Sequence, residues 1–210
     1  MPELFDLREE YIDNSINGDT LSENPFVQFE KWLNQAIELK LPEPNAFTLA
    51  TTTSDGRPSA RIVLLKYYNS EGFVFFTNYL SRKGKEIEEN PNAAILFYWP
   101  GLQRQIRIEG KIFKTLQVVS DDYFNKRPLD SRIGACISPQ SQQIPDRQYL
   151  EDLFNTLHQE KEIIKRPEYW GGYCLNPVYF EFWQGRTGRL HDRIFYQQVN
   201  NKWMTGRLAP

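Results

Sequence analysis

The order of elements along the chain predicts an α+β protein, mainly β with helices, whose strands close or nearly close into a barrel. Three observations carry that expectation. Several short stretches between residues 46 and 110 alternate polar and apolar positions at even spacing. Aromatic residues make up 14% of the chain, which favours a sheet-dominated core and flat surfaces for stacking. Helical periodicity is confined to a few segments that precede or interrupt the strands.

Residues 5–13 read as a short amphipathic helix with Phe5, Leu7, Tyr11 and Ile12 as its apolar contacts, and residues 1–20 as a mobile N-terminal segment. Asn24-Pro25 is a cap followed by proline at the first helical position, so a helix starts there and runs to about Lys40. Its apolar stripe is Phe26, Phe29, Leu33, Ala36 and Ile37, and Leu41-Pro-Glu-Pro44 ends it. Strands 46–53 and 59–67 meet across Asp55-Gly56, and Asn69-Ser-Glu-Gly72 turns the second of them into the strand 72–77. Ser81 caps a helix that reaches Asn90. A strand at 93–99 turns at Pro100-Gly101 into 104–110, whose strict alternation marks a half-buried strand continuing to Lys114. Helices follow at 115–125 and 130–137, flanking Arg127-Pro128, and at 146–161, with Leu150, Leu153, Phe154 and Leu157 on one face. After a loop at 165–169, strands return at 172–175 and 178–183, where Pro177 suits a strand start or an edge. Strands 189–197 and 202–208 close the chain as a hairpin over Asn200-Asn201.

At 210 residues, with no repeat or linker, a single domain spanning 1–210 is expected. Charged residues are 25% and the net charge is −2, which argues against a general nucleic-acid or membrane-surface binder. Cys136 and Cys174 stand far apart, so no zinc site or disulfide framework is indicated. The start MPELFDLREEY lacks a basic stretch followed by an apolar run. No apolar run approaches the roughly 20 residues of a membrane-spanning helix. The expected location is cytoplasmic.

Candidate chemistry begins at Arg57–Glu86. Ser81-Arg-Lys-Gly opens a helix, and its free N–H groups beside Arg82 and Lys83 form a phosphate cradle if Arg61 points the same way. The same residues also suit an ordinary exposed helix start. Tyr123, Arg127 and Ser131, at i, i+4 and i+8 across a proline break, form a second phosphate clamp or an ordinary helix end, and Lys66 could face the same anion. Alternation places Arg189, His191 and Arg193 on one strand face, which either meets an anion or an electron-rich ring, or faces solvent. His158 reads as a solvated helix residue, and Trp183 as core or as a stacking surface. With no G-x-S-x-G, H-E-x-x-H or P-loop, phosphate-binding cations and aromatics imply that a cofactor carries the chemistry.

Several stretches together resemble the pyridoxine (pyridoxamine) 5′-phosphate oxidase family. They are RIVLLK (61–66), FFTNYLSRKG (75–84), RQIRIEG (104–110), YFNKRPLDSRIGA (123–135), SPQSQ (138–142), WGGY (170–173), EFWQGRTGRLHDR (181–193) and RLAP (207–210). The resemblance implies an FMN-binding split β-barrel working as a homodimer, with active sites at the subunit interface. It implies that Arg61, Arg82 and Lys83 hold the FMN phosphate, and that Ile62, Val63, Leu64, Phe76, Thr77 and Ser81 line the flavin site. Gln105, Gln140, Ser141, Trp183 and Arg193 match flavin contacts, several of them donated by the second subunit. Lys66, Tyr123, Arg127 and Ser131 match a substrate-phosphate clamp, and Arg189, Leu190 and His191 the residues over the substrate ring, with Arg189 and His191 catalytic. Arg8 and Tyr11 resemble a segment that closes over the substrate. The implied reaction oxidises the C4′ alcohol or amine of pyridoxine or pyridoxamine 5′-phosphate to pyridoxal 5′-phosphate, with O₂ as acceptor and hydrogen peroxide as product. Cys136 and Phe76 depart from the family, which often has tryptophan and tyrosine there. The rival readings are an oxidase of another flat anion, such as a phenazine precursor, and a non-catalytic carrier of FMN or pyridoxal phosphate.

Overall fold

In the computed structural model, which describes residues 10, 11, 16, 21–159 and 164–210, the first helix starts where its cap signal lies. Helix α1 (Pro25–Glu38) is capped by the Asn24 side chain, which accepts from the Phe26 N–H. Its buried stripe is Phe29, Trp32, Leu33 and Ala36. Ile37, expected in the stripe, is 51% exposed and its place is taken by Trp32. The physical reason is the 3.6-residue period, which puts Trp32 in line with Phe29 and Ala36. The expected helix over 5–13 lies outside the described residues, apart from Glu10 and Tyr11.

Strands β1 (Ala46–Thr52), β2 (Pro58–Leu64), β3 (Tyr67–Asn69), β4 (Gly72–Asn78), β5 (Asn92–Trp99), β6 (Arg104–Lys114), β7 (Trp170–Gln184), β8 (Asp192–Val199) and β9 (Lys202–Leu208) form one sheet. Its order is β2-β1-β5-β6-β7-β4-β3, with β8 paired to β7 and β9 to β8. This is the mainly-β-with-helices class that the sequence predicts. Helices α2 (Arg82–Glu89), α3 (Gln117–Lys126), α4 (Leu129–Ile137) and α5 (Arg147–Gln159) lie between strands.

Three strand expectations need correction. The turn at Asn69–Gly72 joins β4 to the three-residue β3, not to the Arg61 strand, which ends at Leu64. Leu65 is buried at the break, and the Lys66 N–H donates to the Val74 carbonyl. Only Leu65 and Lys66 therefore connect the two ends of the strand path. The separate strands expected on either side of Pro177 are one 15-residue strand, β7. Residues 170–175 pair with β4 and 179–184 with β8, so Pro177 falls between the two registers, where a missing N–H costs neither. The strand expected from Arg189 starts at Asp192. Arg189 sits instead in a 3₁₀ turn (Thr187–Arg189) with φ of 60°, which no strand accommodates.

The chain divides into two compact units, each discontinuous in sequence: 1–48, 94–109 and 177–210 in unit 1, and 49–93 and 110–176 in unit 2. Unit 1 is held by aromatic rings meeting edge to face, among them Phe29 with Phe97 (5.2 Å), Trp32 with Phe182 (5.2 Å) and Phe180 with Trp203 (5.3 Å). Unit 2 has a cluster of Phe124, Ile133, Ile164 and Trp170, against which Phe76, Tyr123, Cys136 and Phe154 pack. No helix among the described residues is long and apolar enough to cross a membrane.

Helix α2 is positioned by a close approach. A Cβ added at Gly84 would lie 2.0 Å from the Tyr79 carbonyl oxygen. Intrinsic propensity favours alanine over glycine inside a helix by about 1 kcal/mol. The clash reverses that sign: Gly84→Ala is expected to lower unfolding stability by about 2–4 kcal/mol in urea titration, and a stabilised variant would contradict the tight seat.

Candidate functional site

Ser81 caps α2, its hydroxyl accepting from the Gly84 N–H at 3.3 Å and donating to the Asn78 carbonyl at 2.7 Å. The cap leaves Lys83 buried against β4. Its ammonium donates to Gln140 Oε1 (3.1 Å), Thr77 Oγ1 (3.2 Å) and Ser81 Oγ (3.3 Å), so its three protons have three acceptors. Burial, followed by the nearby Arg61, lowers its pKa to about 8, and Glu86 partly offsets this.

Arg61 and Arg82 do turn toward one place, but a carboxylate already occupies it. Arg61 Nη2 lies 3.1 Å and Arg82 Nε 2.8 Å from the buried Glu86, whose Oε2 also accepts from the Thr51 and Ser59 hydroxyls at 2.5 Å each. Arg61 Nη1 donates further to the Leu49 carbonyl at 3.2 Å and to Thr51, and Nη2 donates to Ser59. The hydroxyls of Thr51 and Ser59 thus accept hydrogen bonds from Arg61 and donate hydrogen bonds to Glu86. Although burial opposes ionisation, the hydrogen bonds from Ser59, Thr51, Arg82 and Arg61 prevail and hold the Glu86 carboxyl down at about 2. The expected three-cation cradle is therefore a cluster of three cations with one built-in carboxylate.

A cavity of about 750 Å³ opens beside Lys83, lined wholly by unit 2. It brings together Ile62, Val63, Leu64, Phe76, Thr77, Lys83 and Gln140 with Lys66, Tyr123, Arg127 and Ser131. Tyr123 lies in the last turn of α3, Arg127 is its C-cap, Pro128 is the N-cap of α4 and Ser131 stands in the first turn of α4. No side chain among the described residues caps that helix start. Phe76, Tyr123 and Trp170 stack, with centroids 4.0 Å apart for Phe76–Tyr123 and 5.6 Å for Phe76–Trp170. The Arg127 guanidinium lies 4.7 Å over the Trp170 ring, and Lys66 Nζ 6.0 Å from the Tyr123 ring. Arg127 Nη1 is buried with no hydrogen-bond partner among the described residues, and burial lowers the pKa of this guanidinium. A buried donor of that kind is costly until an acceptor reaches it.

Asn78, Lys126, Gly134, Ala135, Ser138 and Trp170 also line the cavity and were not singled out from the sequence. Lys126 was legible as a second cation beside Arg127. Trp170 carried no such signal, because its role comes from stacking with residues far away in the chain.

The remaining candidates lie elsewhere. Arg82 and Ser141 line a smaller cavity of about 340 Å³ with Glu86 and Gln142, and Ser141 has a φ of 69°. In unit 1, Gln105 is part-buried on β6. Arg193 pairs with Glu181 at 2.8 Å and donates to the Ala209 carbonyl at 2.9 Å, while Arg107 reaches the other Glu181 oxygen at 2.5 Å. Trp183 lies 4.7 Å from His191, and Tyr11 meets both rings edge-on at 5.7 and 5.3 Å. Arg189 is exposed and Leu190 is 71% exposed, so the single strand face expected for Arg189, His191 and Arg193 does not exist. Only Arg193 of the three is in the strand. Arg8 lies outside the described residues.

Comparison with known proteins gives a consistent result. Residues 33–160 match a family model described as pyridoxamine 5′-phosphate oxidase, and residues 170–210 one described as a pyridoxine 5′-phosphate oxidase C-terminal dimerisation region. The chain is 51% identical over 220 residues to a Burkholderia pseudomallei protein named pyridoxine/pyridoxamine 5′-phosphate oxidase, with 100% of both chains covered. A protein of the same name from Nostoc sp. is 49% identical over 210 residues, covering 99% of this chain and 98% of that one. Among solved structures, PhzG from Burkholderia lata in complex with tetrahydrophenazine-1-carboxylic acid superposes with a TM-score of 0.90 at 32% identity, covering 94% of this chain and 99% of that one.

The Glu86 cluster makes a stability prediction. The carboxyl titrates at about 2 in the fold against 4.5 for the free group, so the unfolded chain binds more protons between those values. Stability from this group is present above pH 4.5 and is lost as pH falls through 2. Glu86→Gln is expected to cost about 3 kcal/mol at pH 7 and to flatten the loss between pH 4.5 and 2, measured by denaturant titration across pH.

Proposed function

The chain belongs to the pyridoxine/pyridoxamine 5′-phosphate oxidase family, and on that premise we propose that the unit 2 cavity seats a 5′-phosphorylated pyridine against FMN. The protein is an FMN-dependent oxidoreductase of the split-barrel fold that forms pyridoxal 5′-phosphate. The observation that carries the substrate assignment is the buried Arg127 Nη1, unpartnered among the described residues and grouped with Lys66, Tyr123 and Ser131 around the cavity. A phosphate supplies the acceptor that this nitrogen lacks, and the first turn of α4 adds N–H groups with no side-chain cap.

The residues present fit FMN. Lys83, with Arg82 and Arg61, forms a cationic cluster at a helix start for the cofactor phosphate, joined by the Ser81 cap. Thr77, Gln140 and the strand residues Ile62, Val63 and Leu64 line the wall where a flat ring system stacks or hydrogen-bonds, with Phe76 beside them. When bound, FMN supplies the two-electron acceptor that O₂ regenerates, with hydrogen peroxide as product. The protein holds the substrate phosphate through Lys66, Tyr123, Arg127 and Ser131, which fixes the C4′ carbon relative to the cofactor and replaces translational freedom by a defined approach. The alcohol becomes the aldehyde directly, while the amine requires a water to release ammonia.

Gln105, Ser141, Trp183 and Arg193 complete the flavin contacts in this reading, and Arg189, Leu190 and His191, with Arg8 and Tyr11, cover the substrate. Several of these come from the second subunit of a homodimer. Support for the dimer is the match of residues 170–210 to a dimerisation region. A cytoplasmic location belongs to the same reading. The likeness to PhzG favours one alternative, oxidation of a carboxylated tricyclic ring. The higher identities, 51% and 49% against 32%, favour the phosphorylated pyridine.

Two measurements test this. Arg127→Ala is expected to lower kcat/KM for pyridoxine 5′-phosphate by about 100-fold or more in a peroxide-coupled oxygen assay, with FMN content unchanged. Loss of FMN instead would move Arg127 to the cofactor site. Because the Lys83 ammonium titrates at about 8, FMN affinity should fall as pH rises through 8, by up to tenfold per unit. Fluorescence-quenching titrations from neutral to alkaline pH read this directly, and Lys83→Met should abolish the slope.

A further inference from the structure

The chain contains two histidines, His158 and His191. His191 follows a turn in which Gly188 and Arg189 both adopt positive φ, 61° and 60°. This turn folds the chain back on itself, and the backbone N–H of Arg186 donates to His191 Nδ1 at 3.1 Å. A ring nitrogen that accepts a hydrogen bond has its lone pair engaged and carries no proton. In the neutral imidazole the proton is then on Nε2.

The surroundings keep the ring in that state. Trp183 lies 4.7 Å away at 46°, and Tyr11 meets the ring edge-on at 5.3 Å and 85°. The residue that donates to Nδ1 is itself anchored, since Arg186 Nη1 reaches the buried Asp192 carboxylate at 3.4 Å. Asp192 also accepts from Arg207 and from the Ile16 N–H at 3.0 Å, so its charge is turned toward those groups. Among the groups packed around the imidazole, Trp183 and Tyr11 bring aromatic rings and Arg186 its backbone N–H. Among the described residues, the charged group that acts on the ring is Arg189 on the turn. Burial and the Arg189 charge both lower the imidazole pKa.

We propose that His191 works as the neutral Nε2–H tautomer, donating a hydrogen bond to a lone pair of the bound substrate and accepting no proton from it. The proposal rests on the reading of His191 as a substrate-contacting residue. Protonation at Nδ1 would set two N–H groups against each other at the Arg186 bond, so acid disrupts the ring's seat as well as its charge.

Imidazole ¹⁵N shifts of the FMN-loaded protein, with His158→Gln to assign the signals, decide the tautomer without any turnover. The expected result at pH 7.5 is a protonated Nε2 and an unprotonated Nδ1 for His191, with its titration midpoint below the ordinary histidine value. A protonated Nδ1, or an imidazolium at that pH, overturns the proposal. A second measurement compares substitutions whose amides reach different ring positions. Gln places an N–H near Nε2 and Asn near Nδ1, so His191→Gln should keep kcat/KM at least tenfold above His191→Asn at equal FMN content. Equal impairment of the two overturns the donor role. A correct tautomer in a protein that turns over neither B6 phosphate would overturn the proposed function and leave the tautomer standing.

Discussion

A guanidinium turned toward the interior needs an acceptor, and in three places the fold meets that demand in the same way. Three buried carboxylates each hold two arginines: Glu86 holds Arg61 and Arg82, Glu181 holds Arg107 and Arg193, and Asp192 holds Arg186 and Arg207. Each carboxylate is less than a tenth exposed, and the Glu86 and Asp192 groups each keep one net positive charge, while Glu109 on Arg107 neutralises the Glu181 group. A buried pair is weak as a source of stability, since desolvation offsets attraction, but it fixes direction well. Arginines held this way are aimed before any ligand arrives.

Arg127 departs from that pattern, as does Arg132, whose Nε is also buried without a partner among the described residues. Arg127 rests on the Trp170 ring and leaves Nη1 buried and unpartnered among the described residues. Folding bears the cost of that unsatisfied donor. Under the proposed function a phosphate recovers it on binding, and a substrate without a phosphate leaves the cost in place. Lys83 is the intermediate case. Its protons are satisfied by two hydroxyls and an amide, yet its charge has little local compensation, which places its titration within reach of neutral pH.

The aromatic content serves packing and recognition in different places. Phe29, Phe97, Phe180 and Phe182 are fully buried and hold unit 1 together through edge-to-face contacts. Phe76, Tyr123 and Trp170 stack face to face along the wall of the cavity instead. Phe76, where the resemblance leads one to expect a tyrosine, stacks on Tyr123 and so supplies the flat surface without a hydroxyl.

The amino-acid sequence by itself determined the elements and most of the cavity's chemistry. Asn24-Pro25 and Ser81 mark helix starts through local hydrogen bonding, the 104–114 alternation marks a strand, and Lys66, Tyr123, Arg127 and Ser131, singled out by residue type, line one cavity. These signals are local, so one sequence suffices to read them. What only the tertiary structure decided was where side chains point once distant segments meet. The turn of Gly188 and Arg189 left three expected strand residues, Arg189, Leu190 and His191, outside the strand, a result that depends on backbone torsions no alternation pattern records. Glu86 went unnoticed within SRKGKE because a carboxylate four residues after Arg82 reads as an ordinary surface pair. It becomes the centre of a buried cluster only when Thr51, Ser59 and Arg61 are brought across from β1 and β2.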